Sequence, residues 1–310
     1  QGRDEHYNPF PAISGRQLML RMQRVSSEGC SHCADELWPR LLEDDHFKDT
    51  TIELSGGTLL AHASVLAAGS DAVRGMLVNG TANTAMKLCW REHDLQVGRF
   101  FLRLLYTGCA SQADWDLPDK DEGNDDRVPL HLVLGALSIA QVYMFLDVLA
   151  QLVVHLKGRL ETATFDDICK VAVELDVQSL RTQCMLLAAS GTSMSGPWFP
   201  GKYKVMPDSG MKVTKDFTVV GHKSGDELHT LPVHSVIDII EICGQRGRIE
   251  DPCPGWVSII SQTQKLVLES VDAFRIKQDF LAGRLSPQVC HELRGLWGAT
   301  QPVKRRRVSV

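Results

Sequence analysis

The sequence lacks a long apolar run. None of its 310 residues lies in a run approaching the ~20 apolar residues that a helix needs to cross a bilayer. The stretch 130–154 comes nearest, and four polar residues interrupt it: His131, Gln141, Asp147 and Gln151. The chain begins at Gln1 without an initiating Met or the charged-then-apolar order of a signal peptide, as a fragment of a longer chain would. We therefore predict no transmembrane segment.

The sequence also lacks a strong charge of either sign. Its formal net charge of -5 predicts no whole-molecule attraction to nucleic acid or to an anionic membrane, so we expect protein partners and no direct nucleic-acid binding. Nine scattered cysteines, an odd number, favour reduced thiols over a disulfide framework. With 44% hydrophobic and 23% charged residues, the sequence predicts a folded protein of the cytoplasm or nucleus.

Signatures of catalysis are absent as well. There is no Gly-x-Ser-x-Gly elbow, His-Glu-x-x-His pair or dinucleotide fingerprint. Gly196 to Lys202 formally reads Gly-x4-Gly-Lys, but Tyr203 stands where a phosphate loop needs Ser or Thr, and two prolines remove N–H donors. We expect a linker there, no cofactor and no enzyme activity.

Three clusters of potential metal ligands or nucleophiles are better explained by packing and solvation than by metal binding or catalysis. Cys30, His32 and Cys33 could begin a zinc site, but no matching pair follows at short spacing. The acidic stretch 112–127 lacks the ligand spacing of a calcium loop and is predicted to be a surface loop. Cys290 and His291 are adjacent, so on a helix their side chains point about 100° apart. We predict no metal site and no thiol nucleophile.

The first half mixes helical and strand periodicities. Leu37, Leu41 and Leu42 predict a helix, and the alternation across 50–62 with a central Gly-Gly predicts a β-hairpin. A half-buried strand follows over 86–90. Four further apolar stripes predict helices: Leu66 to Leu77, Val97 to Leu105, a helix from Leu130, and Leu146 to Leu160.

The second half begins with helices and changes character at Gly191. Thr164 and Asp167 resemble a capping box opening a helix through Leu175, and a second helix follows. Residues 191–201 predict a linker, and short β-branched runs separated by turns over 202–268 predict a small β-barrel. We expect terminal helices over 269–298, broken near Ser286-Pro287, and then a basic tail, 299–310.

The run from Phe47 to Ser70 resembles the BTB/POZ signature of Phe-x-Asp, a hairpin, Ala-His and Val-Leu-Ala-Ala-x-Ser. Six residues carry this match: Phe47, Asp49, Ala61, His62, Val65 and Leu66. Met76-Leu77 and Leu105-Tyr-Thr-Gly end helices where the family places them. The resemblance implies an α/β (α+β) BTB/POZ domain over 34–160, preceded by an unassigned leader, 1–33.

Within the family, the sequence looks most similar to the speckle-type POZ branch, and 161–190 resembles that branch's 3-box helices. The resemblance implies a homodimer with contacts at Leu37, Leu41 and Leu42, and a cullin surface at Met76, Leu77 and Tyr106. The expected function is then a cullin-RING ubiquitin ligase adaptor that recruits an unknown substrate protein. All six residues could equally be core.

Three departures from that branch keep a second function open. No MATH domain fits ahead of the match, Thr81-Ala82-Asn83 replaces the hydrophobe-x-Glu motif of many cullin binders, and Ala63 stands where a basic residue usually follows Ala-His. The alternative is a BTB dimerising scaffold or transcription cofactor without a role in ubiquitination. Its candidate nuclear import signal is Lys304, Arg305, Arg306 and Arg307.

The segment 202–268 resembles the bacterial SH3-like repeats, most clearly at Gly255 to Ser258 preceded by Arg248-Ile249. Such barrels bind ligands in some proteins and are only structural in others. Trp256 is therefore either a core residue or a ligand platform.

Overall fold

The structure, a computed structural model, describes residues 38, 40–79, 86–108, 128–190, 198–215, 217, 227–261 and 265–297. The chain divides into two compact units, 1–156 and 157–310. Within the described part, no helix has the length and apolarity required to span a membrane.

The first unit contains the predicted hairpin. Strands β1 (Thr50–Ser55) and β2 (Gly57–Ala61) pair antiparallel, with Ile52 opposite Leu59. Gly56 makes the turn at φ +88°, a conformation that glycine adopts without steric cost. Ile52 and Leu54 are buried while the residues between them are partly exposed, so the predicted alternation is confirmed.

A third strand joins the hairpin from the other side. Strand β3 (Met86–Asp94) lies parallel to β1, which gives the order β2-β1-β3. Parallel strands need a crossover, and α1 (Ala63–Gly69) and α2 (Asp71–Asn79) lie between the hairpin and β3 in the chain. Helices α3 (Leu95–Thr107), α4 (Leu130–Val142) and α5 (Leu146–Gly158) follow. The predicted mixture of helix and sheet is confirmed.

An aromatic cluster lies in the core of the first unit. Phe101 on α3 is fully buried, and its ring packs edge-to-face against Trp90 at 5.3 Å and Phe145 at 5.1 Å between centroids. Helix α3 begins at Asp94, whose carboxylate accepts a hydrogen bond from the Val97 amide at 2.8 Å, and ends at Gly108 with φ +71°. These caps fix the helix that carries Phe101.

The described part of the second unit contains four helices: α6 (Phe165–Glu174), α7 (Gln178–Ala189), α8 (Val271–Leu281) and α9 (Pro287–Trp297). The predicted break near Ser286-Pro287 is confirmed. The predicted capping box at Thr164 is wrong, because the Thr164 hydroxyl donates to the carbonyl oxygen of Arg159 at 2.6 Å and forms no cap. The nearby carboxylate of Asp166 instead accepts a hydrogen bond from the Ser286 amide at 2.8 Å.

Among the residues that the structure describes in the second unit, eight short strands form two sheets around one apolar cluster. One sheet has the order β6-β5-β10-β9-β8 and the other β11-β4-β7. The strands are β4 (Gly201–Val205), β5 (Met211–Thr214), β6 (Glu227–Leu231), β7 (Val236–Ile239), β8 (Glu241–Cys243), β9 (Arg246–Ile249), β10 (Gly255–Ser258) and β11 (Leu268–Ser270). Ile240 alone separates β7 from β8, so the chain passes there from one sheet to the other.

Side chains from both sheets share this core, including Tyr203, Val213, Ile239 and Val257. Among the described residues, however, neither sheet closes on itself. The predicted SH3-like barrel is therefore not confirmed, and the observed arrangement is a pair of open sheets over one core.

Candidate protein interaction site

The residues of the Phe-x-Asp and Ala-His motifs meet at the start of α1. The first turn of a helix has amide groups without partners, and His62, at the N-cap, makes no side-chain cap. Asp49 supplies the missing acceptor, since its carboxylate oxygen Oδ1 lies 2.7 Å from the Ala63 amide nitrogen. Asp49 thus ties the start of the hairpin to the helix after it. The partner of this carboxylate is a main-chain N–H group, which Ala63 provides as well as a basic residue would.

His62 and Tyr106 form the buried side of the same site. The His62 amide donates to the Tyr106 hydroxyl at 3.0 Å, and Nδ1 of His62 lies 2.8 Å from that hydroxyl. Both residues are buried, His62 at 7% exposure and Tyr106 at 3%. Desolvation raises the pKa of Tyr106, and hydrogen bonding from His62 opposes this only in part, so the hydroxyl stays protonated at neutral pH.

A clamped turn presents Phe47 to solvent. The carboxylate of Asp44 accepts from the His46 amide at 2.9 Å, and these hydrogen bonds lower the pKa of Asp44. The Lys48 ammonium donates to the Leu42 carbonyl oxygen at 2.7 Å and to the Asp45 carboxylate at 2.6 Å. Phe47 lies between these contacts, 91% exposed, with φ +69°. A bulky residue in the left-handed region is strained, and such strain is common at functional sites.

A second exposed apolar set lies on α2 and at the turn between α4 and α5. Its members are large side chains that are at least half exposed, and we call them the Met76 surface: Met76, Val78, Val142, Met144 and Leu146. The Ser70 hydroxyl, which precedes α2, donates to the Tyr143 carbonyl oxygen, so the turn lies beside the start of α2. Large exposed apolar side chains are candidates for contact with a partner protein, and methionine adapts to many partners.

The predicted site residues have different positions in the structure. Leu41 and Leu42 are half-buried, and Leu37 lies outside the described residues. Met76 is 50% exposed, whereas Leu77 is half-buried. Tyr106 is buried in the core, which is the alternative that the sequence had left open for it. Thr81 to Asn83, Lys304 to Arg307 and the Cys30–Cys33 cluster also lie outside the described residues.

Sequence reasoning missed the exposure of Phe47 and of most of the Met76 surface. Phe47 carried a motif signal, but nothing in the sequence showed that its side chain faces solvent. Val142 and Leu146 lie four residues apart, a spacing that also suits a buried helix face. Apolar patterning alone cannot distinguish these two environments.

Two of the described thiols, those of Cys184 and Cys290, are poor nucleophiles. Burial raises the pKa of Cys290, whose thiol lies 3.6 Å from the Leu285 carbonyl oxygen. The Cys169 thiol and burial raise the pKa of Cys184 as well. Both thiols therefore stay protonated at neutral pH, and a protonated thiol is a poor nucleophile. Within the described ranges, no group of three or more His, Cys, Asp and Glu residues is arranged to hold a metal ion.

Comparison with known proteins gives distant likenesses. No protein-family model matches the chain, and no curated protein matches it. Among solved structures, it is similar to the BTB (Tramtrack and Bric a brac) domain of human Gigaxonin, with 17% identity and a TM-score of 0.29 over 40% of this chain and 91% of that one. It is also similar to the BTB domain of zebrafish PATZ1, with 17% identity and a TM-score of 0.29 over 41% of this chain and 90% of that one. These values assign no family to the chain.

Proposed function

We propose that the chain is a BTB-type protein interaction adaptor. The observation that carries this proposal is the pair of exposed apolar features on the first unit, Phe47 and the Met76 surface. A stable core and a hydrogen-bonded motif hold both features in place, so a partner would bind them at little cost in ordering. The BTB/POZ signature from Phe47 to Ser70 supports the same conclusion independently.

The partner at Phe47 is a second copy of the chain. Phe47 follows the half-buried Leu41 and Leu42, which the resemblance assigns to dimer contacts. Burying an exposed phenylalanine contributes about 1.5–3 kcal/mol, which is less than the roughly 8 kcal/mol that corresponds to a micromolar dissociation constant. A dimer therefore needs the flanking leucines together with Phe47.

The Met76 surface binds a different protein, and the resemblance to the BTB/POZ family implies that this protein is a cullin. In this function the chain dimerises at one surface, binds the ligase scaffold at the other, and recruits a substrate through its remaining part. The alternative is a dimeric scaffold without a ligase role, which the replacement of the hydrophobe-x-Glu motif by Thr81-Ala82-Asn83 favours.

Light scattering after size exclusion tests the two functions on the full chain, alone and mixed with the N-terminal domain of the BTB-binding cullin. The adaptor function predicts a complex of two chains with two cullin domains, and Val78→Lys is expected to abolish it by placing a charge on the Met76 surface. Val154→Lys, which replaces a 67% exposed residue outside that surface, is the control. A dimer that does not bind the cullin would support the alternative function, a dimeric scaffold without a ligase role. A monomer would contradict both functions.

Phe47→Gly separates dimerisation from folding. Glycine relieves the strained backbone but gains freedom in the unfolded chain, so we expect the free energy of unfolding to stay within about 1 kcal/mol of the wild type. Loss of the phenyl ring is expected to weaken the dimer about tenfold, the scale of an interface residue worth more than 1 kcal/mol. Sedimentation equilibrium over a dilution series measures the dimer constant. An unchanged constant would remove Phe47 from the interface.

A further inference from the structure

Helices α7 and α9 of the second unit form the walls of a groove. Gln288 of α9 donates a hydrogen bond to Glu174, just before α7, at 3.3 Å. Further along both helices, Arg181 forms an ion pair with Glu292 at 2.6 Å, so the helices run in the same direction. The groove between them has a volume of about 430 Å³. Its apolar residues lie toward the carboxyl ends of the two helices: Met185, Leu186, Ala189, Gly295 and Leu296.

The apolar end of the groove has room for a ligand. A β-carbon added at Gly295 meets no atom of the described residues within 4 Å, so this wall has open space in front of it. Leu296 is 38% exposed, and Met185 and Leu186 on the facing wall are half-buried. Apolar side chains that line a groove between helices are common contacts for a bound peptide. This end can therefore take an apolar side chain.

The opposite end of the groove is acidic. Arg181 lies between two carboxylates, that of Glu292 at 2.6 Å and that of Asp176 at 3.8 Å. Glu174 adds a third carboxylate at this end, and the side chain of Asp176 is 73% exposed. Three carboxylates beside one guanidinium leave negative charge, which favours a ligand with several cations. The groove thus matches a segment in which an apolar residue lies next to a run of cations.

The basic tail, 299–310, has this composition. Val303 directly precedes four cations, Lys304 to Arg307. The linker 191–197, which also begins next to the groove, has no charged residue and cannot neutralise the acidic end. Charge complementarity therefore favours the tail as the occupant.

The tail also fits the groove in length. Leu296, at the apolar end, is one residue before the end of α9, so the tail starts beside that end. Gly298 is the residue type that most often reverses the chain after a helix. On α7, Met185 and Asp176 are nine residues apart, which corresponds to about 14 Å along the axis. The four residues after Val303 span about 13 Å when extended, so Val303 beside Met185 places the cations beside Asp176.

We propose that the groove between α7 and α9 binds the chain's own basic tail. Val303 packs against the apolar walls, and the cations of Lys304 to Arg307 lie beside Asp176 and Glu174. Because the tail is attached to α9, a modest affinity is enough to keep the groove occupied. The four cations are the candidate import signal, so this contact withholds them from other acidic partners, an import receptor among them.

Fluorescence anisotropy of a labelled peptide of residues 299–310 tests this site on the full chain. The acceptor is a tail variant, whose own tail carries five substitutions: Val303→Asp, Lys304→Gln, Arg305→Gln, Arg306→Gln and Arg307→Gln. The tail variant should bind the peptide with a dissociation constant on the order of 10–100 µM. The wild-type chain should bind it about tenfold more weakly, because its own tail competes at an effective concentration on the order of 1 mM.

Two further substitutions in the tail variant locate the bound peptide. Gly295→Gln fills the open space in the groove and should abolish binding, and it suits the fold because glutamine favours a helix more than glycine does. Asp176→Asn removes one carboxylate and should weaken binding about twofold to fivefold, the range for one exposed ion pair. The matched controls are Gly75→Gln, at another helical glycine with open space before it, and Asp167→Asn, at an exposed acid of α6 outside the groove. Both controls should bind as the tail variant does.

Equal affinity of the wild type and the tail variant would show that the tail does not occupy the groove and would overturn the proposal. Binding that Gly295→Gln leaves unchanged would overturn it too, as would a tail variant that does not bind the peptide. In that last case, weaker self-association of the chain with Gly295→Gln, measured by sedimentation equilibrium, would identify a second copy as the occupant.

Discussion

Phe101→Ala is expected to lower the free energy of unfolding of the first unit by about 3–5 kcal/mol, the usual effect of truncating a fully buried aromatic residue. Its ring fills the space between Trp90 and Phe145, and both edge-to-face contacts are lost with it. The cavity left behind cannot refill, because α3 is fixed at both ends by Asp94 and Gly108. The loss approaches the whole stability of a domain at the lower end of the usual range of about 5–15 kcal/mol.

Hydrogen exchange of the amides in β1 and β3 measures this effect in the first unit without requiring the two units to unfold together. Protection of Ile52 and Leu88 should fall by a factor that corresponds to the lost free energy. Val154→Ala truncates an apolar residue of the same unit that is 67% exposed, and it should change protection little. Equal effects of the two substitutions would place Phe101 outside the stabilising core.

Local patterns in the sequence predicted the first unit better than the second. The hairpin over 50–62 follows from alternation and from Gly56, because both act between near neighbours in the chain. The sequence predicted a strand at 86–90, yet its parallel pairing with β1 depends on the path of two intervening helices, which no local pattern encodes. The capping box predicted at Thr164 failed for a local reason. The Thr164 hydroxyl donates to the carbonyl oxygen of Arg159, five residues earlier in the chain, instead of capping the helix.

The second unit shows where local signals are too short. Strands β4 and β5 alternate clearly, with Tyr203 and Val205 or Met211 and Val213 facing the core, but each has only four or five residues. Such short runs indicate strands without fixing which strands pair. Closure of a barrel depends on that pairing, and the structure has two open sheets instead. The sequence therefore predicted a common apolar core for this segment but not the topology of its sheets.

In the candidate site, too, the sequence predicted what depends on local spacing and not what depends on tertiary contacts. Motif residues Asp49, Ala61 and His62 could be identified from sequence because their spacing is fixed by the hairpin between them. Exposure of Phe47 and burial of Tyr106 could not, because each depends on which neighbours cover the side chain.

Tyr106→Phe is expected to lower the free energy of unfolding of the first unit by about 1–3 kcal/mol, although it removes only one oxygen atom. The reason is that the hydroxyl is the partner of both the His62 amide and Nδ1, and burial prevents water from replacing it. Hydrogen exchange at the start of α1 should detect the loss first, because His62 is the N-cap of that helix.

Tyr143→Phe is the matched control for this effect. The Tyr143 hydroxyl donates to the carbonyl oxygen of Cys89 at 2.9 Å, but that carbonyl belongs to an exposed residue and can turn to water. Its removal should therefore cost less than about 1 kcal/mol. If both substitutions had the same small effect, the His62–Tyr106 contact would be dispensable, and Asp49 alone would join the hairpin to α1. A large effect of Tyr106→Phe alone would show that His62 stabilises the fold through its buried contact with Tyr106. Phe47 would then be the exposed residue of the motif that can bind a partner.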